Sequence, residues 1–431
     1  MINLGTVGAM QAGERSLRLL DVVQFFSPIS GGIRRYVEDK ARFLSQEDGV
    51  SHCVVIPGKT AGEWELDRTR FVQIPSPAMP GSKSYRLLLD NKRLKGLMDE
   101  FNPNVIELAD PFQNAWTATS WARRNGARTV GFYHSDCPRS WARWVSKKLG
   151  RPAGNLSQQV IGSYLGAILG RMDALFTASR RFERYWGQYL DIPVFHTPLG
   201  FDDSIFHPIG ERNGFRKQIG ATPDEPLLVF AGRLAAEKRI HLLLNAYARL
   251  IRDGIHARLL IVGDGEDKPR LESIAREIGV QVDWLPYEAD RTKLAEIYRS
   301  CDGFVHAGRG ETFGLAVIEA AACGCQVVAF SGSGLDDASA CNRYSKLVRE
   351  GDIGGFAQAM ADVVRAPLTQ NAKCLEWEVM RNGHSTRAVF ERNLGYYHSL
   401  CHGHDVQWVS KVLSDCSQNP IPQIEEVLNA S

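Results

Sequence analysis

The chain has 431 residues, which is enough for two domains of ordinary size, each with its own core. Hydrophobic residues make up 44% and charged residues 23%, and a formal net charge of +2 gives no overall field that would attract nucleic acid. The nine cysteines show no metal-ligand spacing, so we expect reduced thiols in a cytoplasm and no metal site. No signal peptide and no apolar stretch of membrane-spanning length is visible.

The N-terminal half alternates strands with helices. An amphipathic helix is predicted at 31–46, and strands are predicted at 17–26, 51–58, 104–110, 128–134 and 173–179. This alternation is typical of an α/β unit whose sheet is parallel and covered on both faces.

Small or polar residues follow these strands, at the sheet edge where parallel α/β sheets bind ligands. Gly31 and Gly32 separate the first strand from its helix, and glycines there permit a tight turn and contact with phosphate. His134 closes the fourth strand, Asp136 follows it, and Asp110 ends the third as a weaker candidate. The structural alternatives are a plain strand-to-helix turn and a histidine that is satisfied within the fold.

A basic and aromatic stretch follows at 137–154. It contains Arg139, Trp141, Arg143, Trp144, Lys147, Lys148 and Arg151. Two interpretations stay open: a helix resting on an anionic membrane surface, or a solvated helix face with its tryptophans packed inwards.

Loop residues at 198–215 mark a boundary, and a second alternation begins after it. Strands are predicted at 226–233, 257–265, 280–286, 302–308 and 325–330. This half therefore forms a second α/β domain.

The first turn of this half carries two cations. Arg233 follows Gly232 at once, and Lys238 comes five positions later, where a helix begins. A small residue lets a diphosphate approach, arginine offers a planar fork, lysine a compact charge, and a helix N-terminus favours anions. The alternative is an ordinary corner with solvated cations. Gly263, after the next strand, keeps a turn tight but belongs to no dinucleotide fingerprint.

Two carboxylates stand out between Val305 and Gly324. Glu311 follows a buried strand, and Glu319 lies eight positions later, about two turns into the next helix. The first can accept hydrogen bonds from sugar hydroxyls, and the second can hold a ribose diol. The alternative is a pair of solvated glutamates, but Gly310 and Gly314 bracket Glu311 and favour close approach of a ligand.

The string ETFGLAVIEAAACG (311–324) resembles the motif E-x-F-G-x-x-x-x-E-A-x-A-x-G of glycosyltransferase family 4. GRLAAEK (232–238), VGDG (262–265), GFDDSIFHP (200–208) and YHSD (133–136) resemble further strings of that family. YHSD and VHAGRGETFG (305–314) look most like its GDP-mannose-dependent mannosyltransferases. SGSGLDDASA (331–340) lacks the family's glutamate, for which Asp336 or Asp337 is the candidate substitute.

The resemblance implies the GT-B fold, in which two Rossmann-like domains with parallel sheets face each other across a central cleft. It implies an acceptor-binding domain at 1–205 and a nucleotide-sugar-binding domain at 206–385. Residues 386–431 would form a C-terminal helix packing back on the first domain, followed by a tail.

The resemblance also implies roles for individual residues. Arg233 and Lys238 would hold the donor diphosphate, Glu311 would orient the sugar, and His134 would contact it as the fourth catalytic residue. Asp136 would bind the acceptor. The donor-binding set would be Gly31, Gly32, Gly232, Arg233, Lys238, Gly263, Thr312, Phe313, Gly314, Leu315 and Glu319.

The expected activity is transfer of a hexose, with mannose favoured, and with retention of anomeric configuration. The donor would be GDP-mannose or a UDP sugar, and the acceptor a glycan or a lipid-linked molecule. No cofactor and no metal are expected. We expect no nucleic-acid partner, and a location in the cytoplasm or on the inner face of the membrane. Two alternatives are a GT-B enzyme of the epimerase or phosphorylase type and a non-catalytic scaffold that binds nucleotide sugars.

Overall fold

The computed structural model describes residues 16–26, 31–79, 85–110, 112–133 and 136–402. These residues form two α/β units, each built on one sheet, as the sequence predicts.

The first unit contains a sheet of eight strands. The strands are β1 (Leu17–Val22), β2 (Val50–Gly58), β3 (Gly62–Leu66), β4 (Thr69–Pro75), β5 (Val105–Leu108), β6 (Arg128–Tyr133), β7 (Ala174–Thr177) and β8 (Val194–His196). Their order across the sheet is β3-β4-β2-β1-β5-β6-β7-β8. The helices are α1 (Gly31–Leu44), α2 (Asn91–Phe101), α3 (Gln113–Asn125), α4 (Cys137–Leu149), α5 (Arg151–Leu169) and α6 (Arg180–Gly187).

One edge of this sheet differs from the sequence prediction. β3 runs antiparallel to β4, so the expectation of a wholly parallel sheet is wrong there. The hairpin forms because Asp67, in the two-residue turn, adopts a left-handed φ of 53°.

The second unit contains six strands, all paired in parallel. The strands are β9 (Leu227–Ala231), β10 (Arg258–Val262), β11 (Asp283–Leu285), β12 (Gly303–His306), β13 (Gln326–Phe330) and β14 (Lys346–Val348). Their order is β11-β10-β9-β12-β13-β14. The helices are α7 (Asn213–Gln218), α8 (Ile240–Arg252), α9 (Lys268–Glu277), α10 (Arg291–Ser300), α11 (Leu315–Ala322), α12 (Leu335–Ala340), α13 (Ile353–Arg365) and α14 (Gln370–His384).

Each sheet has one switch point. There, the connections that follow two neighbouring strands run towards opposite edges of the sheet. In the first unit β1 pairs with β5, and in the second β9 pairs with β12. Loops diverge at such switch points, which leaves a crevice at the carboxyl ends of the strands. The fold therefore creates two crevices, one in each unit.

The last helix, α15 (Thr386–His402), lies against the first unit. Phe390 contacts Tyr36 at a ring-centroid distance of 5.4 Å, and Tyr396 stacks on Phe195 at 4.6 Å. The domain limits given above stay a prediction, and residues 403–431 lie outside the described part. No helix among the described residues is long and apolar enough to cross a membrane.

Candidate active site

Lys238 and Glu311 meet at the switch point of the second sheet. Lys238 ends a short 3-10 turn that follows β9, and Glu311 lies in the loop that follows β12. Because β9 and β12 are neighbours, these loops leave the sheet side by side, and the Lys238 ammonium donates a hydrogen bond to the Glu311 carboxylate. The structure thus brings together two residues predicted to be catalytic.

The Glu311 carboxylate is ionised in this setting. Burial acts to raise its pKa, but the charges of Lys238 and His306 outweigh burial and lower the pKa to about 2. The Glu311 side chain keeps 21% of its surface exposed, so a ligand can reach it. It therefore offers a permanently charged hydrogen-bond acceptor at neutral pH.

His306 is a site residue that the sequence reasoning missed. Its Nε2 lies 3.6 Å from a Glu311 oxygen, and its Nδ1 accepts a hydrogen bond from the Gly308 amide at 3.0 Å. Burial lowers the pKa of His306 to about 4, so the imidazole is neutral at pH 7. The sequence could have indicated His306 through its position, because it is the last residue of a strand at the sheet edge where ligands bind.

Arg233 lies at the mouth of the same crevice. Its side chain is 66% exposed and pairs with Glu237 one turn later. The Glu237 carbonyl in turn accepts from the Arg309 amide at 3.0 Å. The Arg233 guanidinium is thus paired with Glu237 and still accessible to an anion.

Glycines let the loops of this crevice touch. A Cβ on Gly263 would lie 2.0 Å from the Gly232 carbonyl oxygen, and Gly232 itself adopts a φ of 153°. A Cβ on Gly334 would lie 2.3 Å from the Thr312 carbonyl carbon. A side chain would clash at either position, so both residues must be glycine. Gly263 thereby lets its turn pack directly against Gly232.

Residues Thr312 to Leu315 connect Glu311 to α11. Phe313 is buried in the core, so only its backbone is available to a ligand. Gly314 has a φ of 109° and precedes the helix, which begins at Leu315. Glu319 is therefore little more than one turn into α11, and the expectation of about two turns is wrong because residues 311–314 are not helical.

Glu319 is buried and pairs with Arg35 of α1, across the cleft between the two units. Burial raises the pKa of Glu319, while the field of Glu319 raises the pKa of Arg35. A second pair joins the same helix to the second unit, with Asp39 lying 3.2 Å from Arg291. The sequence reasoning missed Arg35, whose partner is 284 residues away.

The first unit contributes the other wall of the cleft. α1 begins at Gly31, and a Cβ on Gly32 would lie 3.7 Å from the Leu315 side chain. Asp136 caps α4 by accepting from the Arg139 amide at 3.3 Å. His134 lies outside the described residues. The structure thus places Gly32 beside α11, and Asp136 belongs to the same unit as Gly32.

Three further aspartates hold loops. The Asp110 carboxylate accepts from the amides of Gln24 and Phe25, both at 3.1 Å, and so joins the loops that follow β5 and β1. Asp336 accepts from the Gly332 amide at 3.0 Å. Asp337 accepts from Ser179 in the first unit at 2.7 Å, so it fastens the two units together.

The arrangement can bind an anion and a polyol in one crevice. Lys238 and Arg233 supply positive charge, Glu311 supplies a charged acceptor, and Gly32 lies beside Leu315 on the facing wall of the cleft. Within the described ranges, no group of three or more histidine, cysteine or acidic side chains could hold a metal ion.

Two family models match the chain: Glycosyl transferases group 1 over residues 211–374, and Glycosyltransferase Family 4 over residues 30–204. The chain is 28% identical over 360 residues to the GDP-mannose-dependent alpha-(1-6)-phosphatidylinositol dimannoside mannosyltransferase of Mycobacterium tuberculosis, a match that covers 83% of this chain and 90% of that relative. It is 29% identical over 394 residues to a GDP-mannose-dependent alpha-mannosyltransferase of the same species, covering 89% of this chain and 97% of the relative.

Solved structures show the same fold. Sucrose-phosphate synthase from Thermosynechococcus elongatus matches with a TM-score of 0.67 at 17% identity, over 96% of this chain and 100% of that one. The predicted GT-B fold is confirmed. The chain belongs to the group 1 glycosyltransferases of family 4.

Proposed function

We propose that this glycosyltransferase moves mannose from GDP-mannose to a glycan or lipid-linked acceptor, with retention of configuration and without a metal ion. The contact between Lys238 and Glu311 carries the proposal, since it sets a cation for the diphosphate beside a carboxylate for the sugar. Two relatives that match most of the chain are GDP-mannose-dependent mannosyltransferases, which supports the choice of donor.

In the proposed reaction the bond between the anomeric carbon and the diphosphate oxygen breaks, and the acceptor oxygen bonds to the same face of the sugar. The proton of the acceptor hydroxyl passes to the departing diphosphate. Lys238 and Arg233 stabilise the negative charge that develops on that group, a role that a metal ion fills in other enzymes. Glu311 accepts hydrogen bonds from the sugar hydroxyls, and His134 contacts the sugar from the first unit.

The remaining roles follow the same proposal. Glu319 binds the ribose diol, which requires Arg35 to share or release its carboxylate. Asp136 binds the acceptor. The backbone of the glycine-rich turns and of the segment before α11 surrounds the donor, through Gly31, Gly32, Gly232, Gly263, Thr312, Phe313, Gly314 and Leu315.

The test is nucleoside diphosphate release from a panel of donors, in the presence of EDTA, with the anomeric configuration of the product read by NMR. We expect GDP release from GDP-mannose that rises with acceptor, and an α-linked product. Release from UDP-glucose alone would overturn the donor, a β-linked product would overturn retention, and donor binding without release would indicate the scaffold alternative.

We further propose that α4 and α5 contact an anionic membrane surface. Of the two interpretations of this stretch, inward packing of the tryptophans is wrong, because Trp141 and Trp144 are 43% and 49% exposed. Leu149, the last residue of α4, is 75% exposed, and Leu156 and Val160 on α5 are exposed as well. Apolar side chains so placed can enter the headgroup region of a bilayer.

The charge of this surface suits anionic lipid. No acidic residue occurs between Asp136 and Asp173, whereas the exposed end of α4 and the start of α5 contain Lys147, Lys148 and Arg151. The Lys148 ammonium lies 4.4 Å from the ring centroid of Trp144, so charge and aromatic surface are adjacent.

Sedimentation with vesicles tests this contact. We expect the protein to bind vesicles of phosphatidylglycerol and phosphatidylcholine, and not vesicles of phosphatidylcholine alone. Trp144→Ala should reduce the bound fraction, whereas Leu347→Ala, which removes an exposed apolar side chain from the other unit, should not. Equal binding to both kinds of vesicle, or an unchanged Trp144→Ala variant, would contradict the proposal.

A further inference from the structure

An open groove of about 610 Å³ lies between α5 and α6, and all of the residues that line it belong to the first unit. Its walls are formed by the stretch 155–166 of α5 and by residues 185–189, which include the end of α6 and the turn after it. Sites that bind small molecules have volumes of about 300–1,000 Å³. The α5–α6 groove is therefore large enough for a ligand, and the catalytic roles assigned above do not use it.

Two glycines of α5 keep this groove open. A Cβ on Gly166 would lie 4.0 Å from the Cζ3 of Trp186, and a Cβ on Gly162 would meet no atom within 4 Å. The surface of α5 at these positions is bare backbone, although a larger side chain would fit at Gly162 without a clash. The space above Gly162 is thus available to a ligand.

The lining of the groove suits a neutral, hydroxyl-rich molecule. All nine described residues that line it are uncharged. Four exposed side chains supply amide and hydroxyl groups, and across the described ranges no hydrogen bond engages them: Asn155, Gln158, Gln159 and Ser163. Because an amide group both donates and accepts, it matches a hydroxyl better than it matches a phosphate or an ammonium group.

The facing wall of the groove is aromatic. Tyr185 and Tyr189 are 47% and 67% exposed, and their ring centroids lie 5.0 Å apart. The ring of a sugar presents C–H groups on its faces and hydroxyls around its rim, so its faces can pack on aromatic rings while the rim hydroxyls reach polar side chains. Aromatic side chains on one wall and amides on the other match these two kinds of surface.

Trp186 adds a buried donor to the groove. It is 2% exposed, and among the described residues no acceptor pairs with its Nε1. Such a donor costs free energy that a ligand hydroxyl would recover. The indole also packs on Tyr133, the last residue of β6, with ring centroids 5.6 Å apart. The groove therefore reaches the carboxyl edge of the first sheet.

The groove and the surface proposed to contact the membrane occupy different sides of α5. Leu156 and Val160 each follow a groove residue by one position, which places them about 100° further around the helix. Amides buried against a bilayer would lose their hydrogen bonds to water, which is costly. The side of α5 that carries Asn155 and Gln159 thus favours a soluble polar ligand over lipid.

We propose that the α5–α6 groove binds a neutral oligosaccharide and is a second carbohydrate site, outside the cleft in which transfer takes place. Sugar faces rest on Tyr185 and Tyr189, and the amides of α5 bind the hydroxyls. This inference goes beyond the proposed function, because it concerns sugars that are held and not altered. It is also independent of the donor, since no residue assigned to the donor lines the groove.

Isothermal titration calorimetry of the full chain tests the groove, with α-linked mannotetraose, maltotetraose and cellotetraose as neutral probes and tetragalacturonate as the acidic one. We expect at least one neutral tetrasaccharide to bind, and to bind more tightly than tetragalacturonate. Gly162→Leu, which fills the groove, should abolish this binding. Gly96→Leu is the matched control, because Gly96 is an exposed helix glycine of α2 with the same open space around it.

A second variant tests the aromatic wall. Tyr185→Ala should weaken tetrasaccharide binding by about fivefold, the effect of losing one aromatic contact. No binding of any neutral tetrasaccharide, tighter binding of tetragalacturonate, or binding that Gly162→Leu leaves unchanged would overturn the inference.

Two further measurements separate this inference from the other proposals. Gly162→Leu should sediment with phosphatidylglycerol vesicles and release GDP from GDP-mannose as the wild type does. Loss of vesicle binding in Gly162→Leu, with tetrasaccharide binding unchanged, would assign the groove to the membrane and overturn the inference. No GDP release by the wild type would overturn the proposed function, whereas the calorimetric result would still decide the role of the groove.

Discussion

At the scale of single residues, the site depends on the charge state of one carboxylate. Burial acts to raise the pKa of Glu311, yet the neighbouring Lys238 and His306 hold it at about 2. His306 is itself neutral at pH 7, since its own pKa is about 4, so Lys238 supplies the positive charge there. The result is a carboxylate that stays ionised across the physiological range and remains open to a ligand.

Replacing either member of the Lys238–Glu311 pair tests these roles. Lys238→Ala and Glu311→Gln should each reduce mannosyl transfer by about two or more orders of magnitude, because each removes a charge contact made in the transition state. The measurement is kcat/KM for GDP-mannose. Glu277→Gln, at the exposed end of α9, serves as the control. Near-normal rates in both site variants would show that the assigned roles are wrong.

Asp110 predicts a pH dependence of stability. Burial raises its pKa to about 7, above the value of 3.8 for an ordinary aspartate, so the folded protein holds a proton that the unfolded chain releases. The free energy of unfolding should therefore fall as pH rises from about 4 to 7. Asp110→Asn mimics the neutral form of the side chain. The free energy of unfolding of this variant, minus that of the wild type, should therefore be larger at pH 8 than at pH 5.

Urea denaturation at both pH values measures this difference. If the two proteins differ in free energy of unfolding by the same amount at pH 5 and at pH 8, the pKa of Asp110 is not raised.

Some residue contacts could be predicted from sequence and others could not. Lys238 and Glu311 each follow a strand at the same sheet edge, so their motifs alone place them together. The pairing of Arg35 with Glu319 depends on how two units are oriented, and no local pattern encodes that. His306 was missed because the last residue of a buried strand looks like core.

At the scale of elements, a buried ionic group joins α1 to the sheet and to α15. The Lys40 ammonium lies 2.9 Å from both Asp21 on β1 and Glu107 on β5. Tyr397 of α15 donates to Glu107, and the Nε2 of His52 lies 3.1 Å from Asp21. The group fixes how three elements meet inside the first unit.

Removing the cation should destabilise the protein strongly. Lys40→Met leaves Asp21 and Glu107 buried without their shared partner, which costs about 3–5 kcal/mol in comparable buried pairs. Guanidinium denaturation of Lys40→Met and of Arg42→Met, an exposed neighbour on α1, measures the difference. Equal stabilities of the two variants would mean that Lys40 contributes no more than a surface residue.

Elements with a clear period were predictable, and the exception has a physical cause. The five strands predicted in each half are present, with bounds that differ by a few residues, because buried apolar runs identify them. β3, β4, β8 and β14 were not predicted. The β3–β4 hairpin depends on one aspartate in a left-handed turn rather than on hydrophobic periodicity. The surface character of α4 could not be predicted either, because the sequence did not show which face its tryptophans occupy.

At the scale of the whole molecule, polar contacts hold the two units around the cleft. Arg35 and Asp39 of α1 reach the second unit on one side. On the other side, Asp337 accepts from the Ser179 hydroxyl at 2.7 Å and from the Arg180 amide at 3.2 Å. Buried apolar residues of the two units also belong to one continuous cluster, so these polar contacts act together with apolar packing.

Asp337→Ala should therefore loosen the cleft. We expect a larger radius of gyration by small-angle X-ray scattering than for the wild type, both without ligand. Asp336→Ala is the matched control, because Asp336 accepts from the Gly332 amide within its own loop. An equal change in both variants, or no change in Asp337→Ala, would show that this contact does not hold the units together.

The position of the donor diphosphate is the central claim, and a crystal structure of the protein with GDP measures it most directly. We expect diphosphate oxygens within about 3 Å of the Lys238 ammonium and the Arg233 guanidinium, the length of a charge-assisted hydrogen bond. GDP bound with its phosphates elsewhere, while Lys238 still pairs with Glu311 and Arg233 with Glu237, would contradict the account.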